Sequence, residues 1–89
     1  MTRRYLVIYE TGEKNMSGFA PDVPGCASTG RTLDEMRTNL REAQEFHLEG
    51  LSSSGEPIPS ATTHSIEVPE NGLAEWLAVT LPVPEAVSA

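Results

Sequence analysis

The sequence predicts an α+β fold in which one main helix covers one face of a mostly antiparallel sheet. Three observations lead to this class. A run of β-branched and aromatic residues extends from Arg4 to Glu10. A single long helical pattern with start, stripe and stop signals lies between Gly30 and Gly55. A second stretch with β propensity extends from Glu75 to Leu81. With two short strands before the helix, the predicted order is strand, strand, strand, helix, strand.

Three strands are predicted before the helix. Arg4 to Glu10 forms the first, and the polar, glycine-containing segment Thr11 to Asn15 suits a hairpin turn. Met16 to Ala20 returns as the second strand. Pro21 to Gly25 then makes a rigid corner, because its two prolines fix backbone angles and remove amide donors. Cys26 to Thr29 is short and small-sided, as a third strand beneath a helix requires.

The helix has recognisable ends and two different sides. Thr32 and Glu35 have the spacing of a capping box, and Gly55 followed by Pro57 indicates a stop. An apolar stripe with a period of three to four residues comprises Leu33, Met36, Leu40, Ala43, His47 and Leu51. Phe46 and Leu48 flank this stripe. The opposite, polar side carries Asp34, Arg41, Glu42, Glu45 and Glu49. The helix is therefore expected to cover the sheet with its apolar stripe.

The region after the helix returns to the sheet. Residues 52–60 form a loop by composition, and Ser65 to Val68 suits a short extended piece. Residues 73–81 suit a strand or a helical turn, and we favour a final strand because of their β propensity. The predicted organisation is one domain over residues 1–82, with residues 83–89 as a flexible C-terminal tail.

Composition restricts the possible functions. The 89-residue chain has a net charge of −7, which argues against direct binding of nucleic acid, because phosphate binding requires basic patches. The acidity is explained either by solubility or by attraction to a basic protein partner. No apolar run approaches the length of about 20 residues that spans a bilayer, and no secretory signal opens the chain. We therefore expect a cytoplasmic protein without membrane association.

The sequence contains no convincing catalytic or metal-binding set. His47 lies in the apolar stripe and is predicted to be structural, and His64 lies in a polar loop. The single cysteine, Cys26, is predicted to be a small buried hydrophobe. Glutamates 42, 45 and 49 are expected to form a solvated helix face. Because no nucleophile, base and acid can be assembled, we predict no catalytic, cofactor-binding or metal-binding residues. The residues alone indicate a small binding module.

One helix leaves the second face of the sheet uncovered. In the first strand Tyr5, Val7 and Tyr9 point one way, whereas Leu6 and Ile8 point the other. The set that does not face the helix is expected to remain exposed in a monomer. This predicts a homo-oligomer, a dimer or larger, or a partner that covers the exposed set.

Three sequence segments together resemble the HicB antitoxin family of type II toxin–antitoxin systems. They are FAPDVPGCASTGRTLDEM from Phe19 to Met36, EAQEFHLEGL from Glu42 to Leu51, and GEPIP from Gly55 to Pro59. The resemblance implies a partial ribonuclease-H-like β-β-β-α-β fold. It also implies a partner, a small basic HicA-like toxin that cleaves messenger RNA and is neutralised by direct contact. Many relatives continue into a DNA-binding domain, so this chain resembles the single-domain form.

The resemblance adds a binding role without an enzymatic one. Nucleases of the ribonuclease-H type need several acids converging on metal, and Glu10 is the only acid in the first strand, so no nuclease activity is expected. The alternative function is an orphan oligomeric scaffold or regulator of the same fold without a toxin partner. The predicted partner-binding residues are Tyr9, Phe19, Pro21, Asp22, Val23, Pro24 and Gly25.

Overall fold

The computed structural model describes residues 1–82, which form four strands and one helix. The elements are β1 (Thr2–Thr11), β2 (Met16–Phe19), β3 (Ala27–Gly30), α1 (Leu33–Ser53) and β4 (Gly72–Thr80). All strand pairs are antiparallel, and the spatial order is β3-β2-β1-β4. The predicted α+β class and element order are confirmed. The tail predicted for residues 83–89 lies outside the described residues.

The fourth strand resolves the ambiguity over residues 73–81. β4 pairs with β1 over nine residue pairs, from Thr2 opposite Thr80 to Glu10 opposite Gly72. This long ladder satisfies the backbone of β4, so the interpretation as a strand is confirmed. The stretch predicted as a short extended piece, Ser65 to Val68, is not part of the sheet that the described residues form.

Two glycines let α1 approach the sheet closely. The register places Gly18 of β2 and Gly30 of β3 on the same face as Tyr9. A Cβ atom at Gly30 would lie 2.6 Å from the backbone nitrogen of Met36, and one at Gly18 would lie 2.8 Å from the Tyr9 ring. Both distances are too short for any side chain, so Met36 packs directly over backbone. The core between α1 and the sheet is thin and tightly packed.

The helix ends as predicted. Thr32 is the N-cap, and its hydroxyl accepts a hydrogen bond of 3.1 Å from the amide of Glu35. Beyond the C-cap, Gly55 adopts a φ of +75°, and its amide donates to the carbonyl of Ser52 at 3.1 Å. The amide of Glu56 donates to the carbonyl of Leu51 at 2.9 Å. These two bonds are a Schellman motif, and they turn the chain back beside the helix end.

The side of α1 that enters the core differs from the predicted stripe. Four helix residues are buried: Met36, Leu40, Gln44 and Leu48. His47, predicted to lie within the packed stripe, is only half-buried, and Phe46 is 80% exposed. These buried residues are spaced four apart and include Gln44. Because glutamine is polar, a search for periodic apolar residues does not detect it. The predicted stripe is correct for Met36 and Leu40, which are buried, and for Leu33, Ala43 and Leu51, which are partly buried against the core. The prediction missed Gln44 and placed Leu48 only at the edge of the stripe.

The second face of the sheet is also better covered than predicted. Leu6 and Ile8 are only 6% and 3% exposed. β1 has a neighbouring strand on each side, and the register places Trp76 opposite Leu6 and Phe19 opposite Ile8. The expectation that Leu6 and Ile8 remain exposed in a monomer is therefore wrong. The exposed side chains on this face are those of Phe19 and Trp76, which are 41% and 43% exposed.

The connection between α1 and β4, residues 54–71, passes from the helix side to this second face. The Tyr5 hydroxyl, which lies on the helix side, donates to the carbonyl of Pro59 at 2.6 Å. Further along, the His64 ring lies 6.0 Å from the ring of Trp76, measured between centroids. Because Trp76 lies on the face opposite to α1, the connection passes from one face of the sheet to the other between these two contacts. We call the face that carries Phe19 and Trp76 the open face.

Gln44 is a polar residue inside the apolar seam. Its side chain is fully buried, and neither the amide nitrogen nor the amide oxygen has a hydrogen-bond partner among the described residues. A buried amide without partners costs about 1–3 kcal/mol of stability. The helix therefore holds a destabilising group in its most buried row.

We predict that Gln44→Met stabilises the chain, because methionine has a similar shape without the amide. The free energy of unfolding, measured by urea denaturation, is expected to rise by about 1–3 kcal/mol. The exposed Thr38→Leu on the same helix is the control, with an expected change of no more than about 0.5 kcal/mol. A loss of stability in Gln44→Met contradicts the prediction.

Candidate partner-binding surfaces

A partly buried ionic cluster joins α1 to β4. The Glu75 carboxylate accepts hydrogen bonds from the Tyr9 hydroxyl at 2.7 Å and from two nitrogens of Arg37 at 2.8 and 3.0 Å. The bidentate bond to Arg37 lowers the pKa of Glu75, and the bond from Tyr9 lowers it further. Burial raises the pKa of Tyr9, and the bond to Glu75 adds to this shift. All three groups stay in one protonation state near neutral pH. The cluster therefore acts as a structural clamp, which holds α1 against β4, and not as an acid–base site.

The corner between β2 and β3 is held by its single acid. The Asp22 carboxylate accepts hydrogen bonds from the amide and hydroxyl of Thr63, at 2.8 and 2.7 Å, and from the hydroxyl of Thr62 at 3.1 Å. Although desolvation opposes the change, these bonds lower the pKa of Asp22. The carboxylate of Asp22 therefore fastens the connection to the corner, which leaves it less free to bind a partner.

The predicted contact residues do not form one continuous surface. Tyr9 and Val23 are fully buried, so their side chains support the structure from within. Tyr9 faces α1, whereas Phe19 lies on the open face. Gly25 has a φ of +83°, which its lack of a side chain permits at this turn. The members that keep exposed or partly exposed surface are Phe19, Pro21, Asp22, Pro24 and Gly25.

The open face carries a groove that sequence reasoning did not identify. The groove has a volume of about 410 Å³ and is lined by Arg4 and Trp76. Arg4 and Trp76 belong to neighbouring strands, and both point away from α1. The surface there combines an aromatic ring with a positive charge. A partner that binds this groove must therefore tolerate or neutralise a guanidinium group.

A second groove lies at the end of α1. It has a volume of about 550 Å³, and its lining includes Phe46, His47, Glu49, Gly50 and Glu56. The sequence analysis placed Phe46 beside the buried stripe, but its ring is exposed. A signal was present in the sequence, since Phe46 lies between Glu42 and Glu49 on the acidic side of the helix. We call this feature the α1 groove.

The free edge of β4 is partly closed by helix side chains. The Arg41 guanidinium donates to the carbonyl of Ala78 at 3.0 Å, and the amide of Thr80 donates to the Glu45 carboxylate at 2.7 Å. These bonds occupy backbone groups that a strand from another chain would need for pairing. The end of β4 is therefore protected against strand addition.

The remaining features to consider are the single cysteine, possible metal ligands and membrane-spanning helices. Cys26 is buried, as predicted, and burial raises the pKa of its thiol. Across residues 1–82, no three His, Cys, Asp or Glu side chains are grouped closely enough to hold a metal ion. Within the same residues, no helix combines the length and the apolar character that a membrane crossing demands.

Sequence comparison matches residues 5–87 to the family model described as the HicB-like antitoxin of bacterial toxin–antitoxin systems. Among curated proteins, an uncharacterized 14.9 kDa protein of Haemophilus phage HP1 is 49% identical over 52 residues, which are 55% of this chain and 39% of that protein. A UPF0150 protein of Thermotoga maritima is 41% identical over 44 residues, covering 49% of this chain and 59% of that protein. The matches thus span about half the length of these relatives.

Solved structures share the fold. The Burkholderia pseudomallei antitoxin HicB gives a TM-score of 0.77 at 24% identity, covering 93% of this chain and 66% of that one. The N-terminal domain of the same antitoxin gives a TM-score of 0.66 at 27% identity, covering 91% of this chain and 100% of that one. A chain of the HicA3 and HicB3 toxin–antitoxin complex gives a TM-score of 0.63 at 24% identity, covering 93% of this chain and 100% of that one.

The Glu75 cluster predicts a loss of stability in acid. Because the folded pKa of Glu75 lies below its ordinary value of 4.5, its contribution is complete above that pH and is lost as the pH falls through the folded pKa. Glu75→Gln is expected to lower the free energy of unfolding at pH 7 by about 1–3 kcal/mol, because it removes charged hydrogen bonds. The difference from the wild type should shrink on acidification below pH 4.5. The measurement is urea denaturation across pH.

The matched control is Glu13→Gln, which removes an equal charge from the exposed β1–β2 turn. Its stability should stay close to that of the wild type at every pH. Parallel pH profiles for Glu75→Gln and the wild type, with a constant difference between them, would contradict the assignment of the clamp to Glu75.

Proposed function

This chain belongs to the HicB-like antitoxin family, and from that membership we propose that it neutralises a small basic HicA-like toxin by direct protein–protein contact. The observation that carries the proposal is the family match over residues 5–87. A structural relative in a complex described as HicA3 with HicB3 supports the choice of partner. The proposed toxin cleaves messenger RNA, and the proposed location of the pair is the cytoplasm.

Charge supports a basic partner. The chain has 13 acidic and 6 basic residues and a net charge of −7. Opposite fields speed the encounter of two proteins and favour the correct partner. The same charge opposes contact with nucleic acid, so we propose that this chain does not bind RNA or DNA directly. Protection of messenger RNA would then follow from occupation of the toxin.

We propose that the chain itself is not an enzyme and needs no cofactor. Its two best-positioned carboxylates, Asp22 and Glu75, are already engaged in hydrogen bonds that hold the fold. Glu10 is exposed at the end of β1, and the residues opposite it are Ser17 and Gly72. No second acid faces Glu10 across either ladder, and paired acids are what metal-dependent nucleases require.

We also propose that the chain forms a homo-oligomer through the open face. Phe19 and Trp76 keep about two-fifths of their surface exposed there. Large exposed aromatic side chains are typical of protein contacts. The protected end of β4 favours association by faces over association by strand addition. Leu6 and Ile8 do not contribute to this surface, because the chain buries them by itself.

We predict that a HicA-like toxin is encoded beside this chain, and that co-expressing the two restores growth and yields a complex that copurifies. The attraction between an acidic and a basic protein should weaken as salt is raised, because added ions screen exposed charges. A folded acidic protein of similar size and charge is the control, since it reproduces the charge but not the fold. A soluble, folded chain that neither rescues growth nor copurifies with the toxin contradicts the proposal and favours the orphan scaffold.

A separate prediction concerns the oligomer. Static light scattering of the wild type is expected to give at least twice the mass of the 89-residue chain, and Trp76→Ser is expected to shift it toward the monomer. Phe46→Ser, which removes an exposed aromatic side chain from α1, is the matched control and should leave the mass unchanged. A wild-type monomer at micromolar concentration removes the proposal of self-association.

A further inference from the structure

The charges at the start of α1 complement the helix dipole, whereas those at its C-terminal end do not. Acidic residues occupy the first turn, Asp34 and Glu35, where the helix dipole favours them. The last turn has no basic residue. Instead Glu49 lies just before it, and the Schellman turn folds Glu56 back beside the same helix end. The negative end of the dipole disfavours such carboxylates, so this arrangement works against the stability of the helix.

The chain does not correct this imbalance itself. Within the described residues, the ion pairs involve Arg31 and Arg37 with acids near the start of α1 or in β4. No lysine or arginine of these residues lies within ion-pair distance of Glu42, Glu49 or Glu56. A feature that breaks a local rule without an internal compensation is expected where a protein binds something. A cation from outside the chain would supply the missing charge.

An exposed aromatic ring lies among these carboxylates. Phe46 is 80% exposed and has Glu42 four residues before it and Glu49 three residues after it, on one side of the helix. Four residues beyond Phe46 is Gly50, where an added Cβ would meet nothing within 4 Å. The missing side chain at Gly50 leaves the space beside the ring open. The α1 groove of about 550 Å³ occupies this space.

These features match one kind of side chain. A guanidinium group stacks on an aromatic ring and forms paired hydrogen bonds with a carboxylate, whereas an ammonium group is a compact charge that does not stack as a plane. The α1 groove offers Phe46 for stacking and Glu49 for pairing, at the negative end of the dipole. The groove on the open face is lined by Arg4, which repels a cation.

We propose that the α1 groove binds an arginine-bearing segment of the basic partner, with one guanidinium stacked on Phe46 and paired with Glu49. This inference rests on the proposed function for the identity of the partner. It assigns the toxin to the helix side and separates that contact from the surface predicted around Phe19 and the Pro21 to Gly25 corner. Gly50 keeps the groove accessible, and Glu42 and Glu56 add negative charge around it.

The first experiment uses a defined probe, a blocked tetra-arginine peptide, titrated into ¹⁵N-labelled protein and followed by NMR. The amides of Phe46, Glu49 and Gly50 are expected to shift, and blocked tetra-lysine is expected to bind at least threefold more weakly. Phe46→Ala and Gly50→Leu should each weaken the arginine peptide at least threefold. Gly50→Leu fills the groove without changing charge, and it should not lower the melting temperature, because leucine favours a helix more than glycine does.

Two matched controls locate the effect. Leu73→Ala removes an exposed apolar side chain from β4, and Glu13→Gln removes a carboxylate from the β1–β2 turn. Both variants should bind the arginine peptide as the wild type does. Equal binding by the wild type, Phe46→Ala and Gly50→Leu overturns the inference, as do peptide shifts spread evenly over the acidic residues.

The second experiment measures the affinity of the HicA-like toxin for the same variants by calorimetry. Phe46→Ala and Gly50→Leu are expected to weaken toxin binding at least tenfold, and Phe19→Ala less than threefold. Toxin binding that is lost in Phe19→Ala and unchanged in Phe46→Ala overturns the inference and leaves the proposed function intact. If the toxin does not bind the wild type at all, the proposed function fails, and the peptide titration alone decides whether the groove accepts arginine.

Discussion

The structure depends on the position of β1 inside the sheet. β1 pairs with β4 over nine residue pairs and with β2 over four, and Ile8, Tyr9 and Glu10 have a partner on each side. Its side chains from Tyr5 to Tyr9 are buried on both faces of the sheet. A strand that is covered on both faces needs apolar residues at successive positions, which explains why this run does not alternate. The helix, the connection and the terminal strand are arranged so that this one strand is covered.

Sequence signals were sufficient where the physics is local. The Thr32 cap, the Gly55 stop and the corner at Gly25 depend on a few neighbouring residues, and the elements follow in the predicted order. The failures depend on distant contacts. Leu6 is paired with Trp76 of β4, a strand that lies far away in the sequence. The position of Gln44 in the seam depends on how the helix crosses the sheet, and no periodicity of apolar residues includes a glutamine.

The candidate surfaces illustrate the same division. Tyr9 was a reasonable contact residue from sequence, but its hydroxyl reaches Glu75, which lies 66 positions later, and its ring is covered by the helix. Such a pairing cannot be inferred until β4 is placed beside β1. Phe46 was misplaced because an aromatic residue beside an apolar stripe is usually buried. Its acidic neighbours were the contrary signal, since carboxylates on both sides indicate solvent.

Charge separates the two exposed aromatic sites of this small chain. Two copies that each carry a charge of −7 repel one another, so self-association is least costly where local acidity is low. The open face meets this condition, because the groove beside Trp76 contains Arg4. The α1 groove is the opposite case, since its carboxylates and the end of the helix dipole repel a second copy and attract a cation. One sheet with one helix thus presents two faces, and their charges favour different partners.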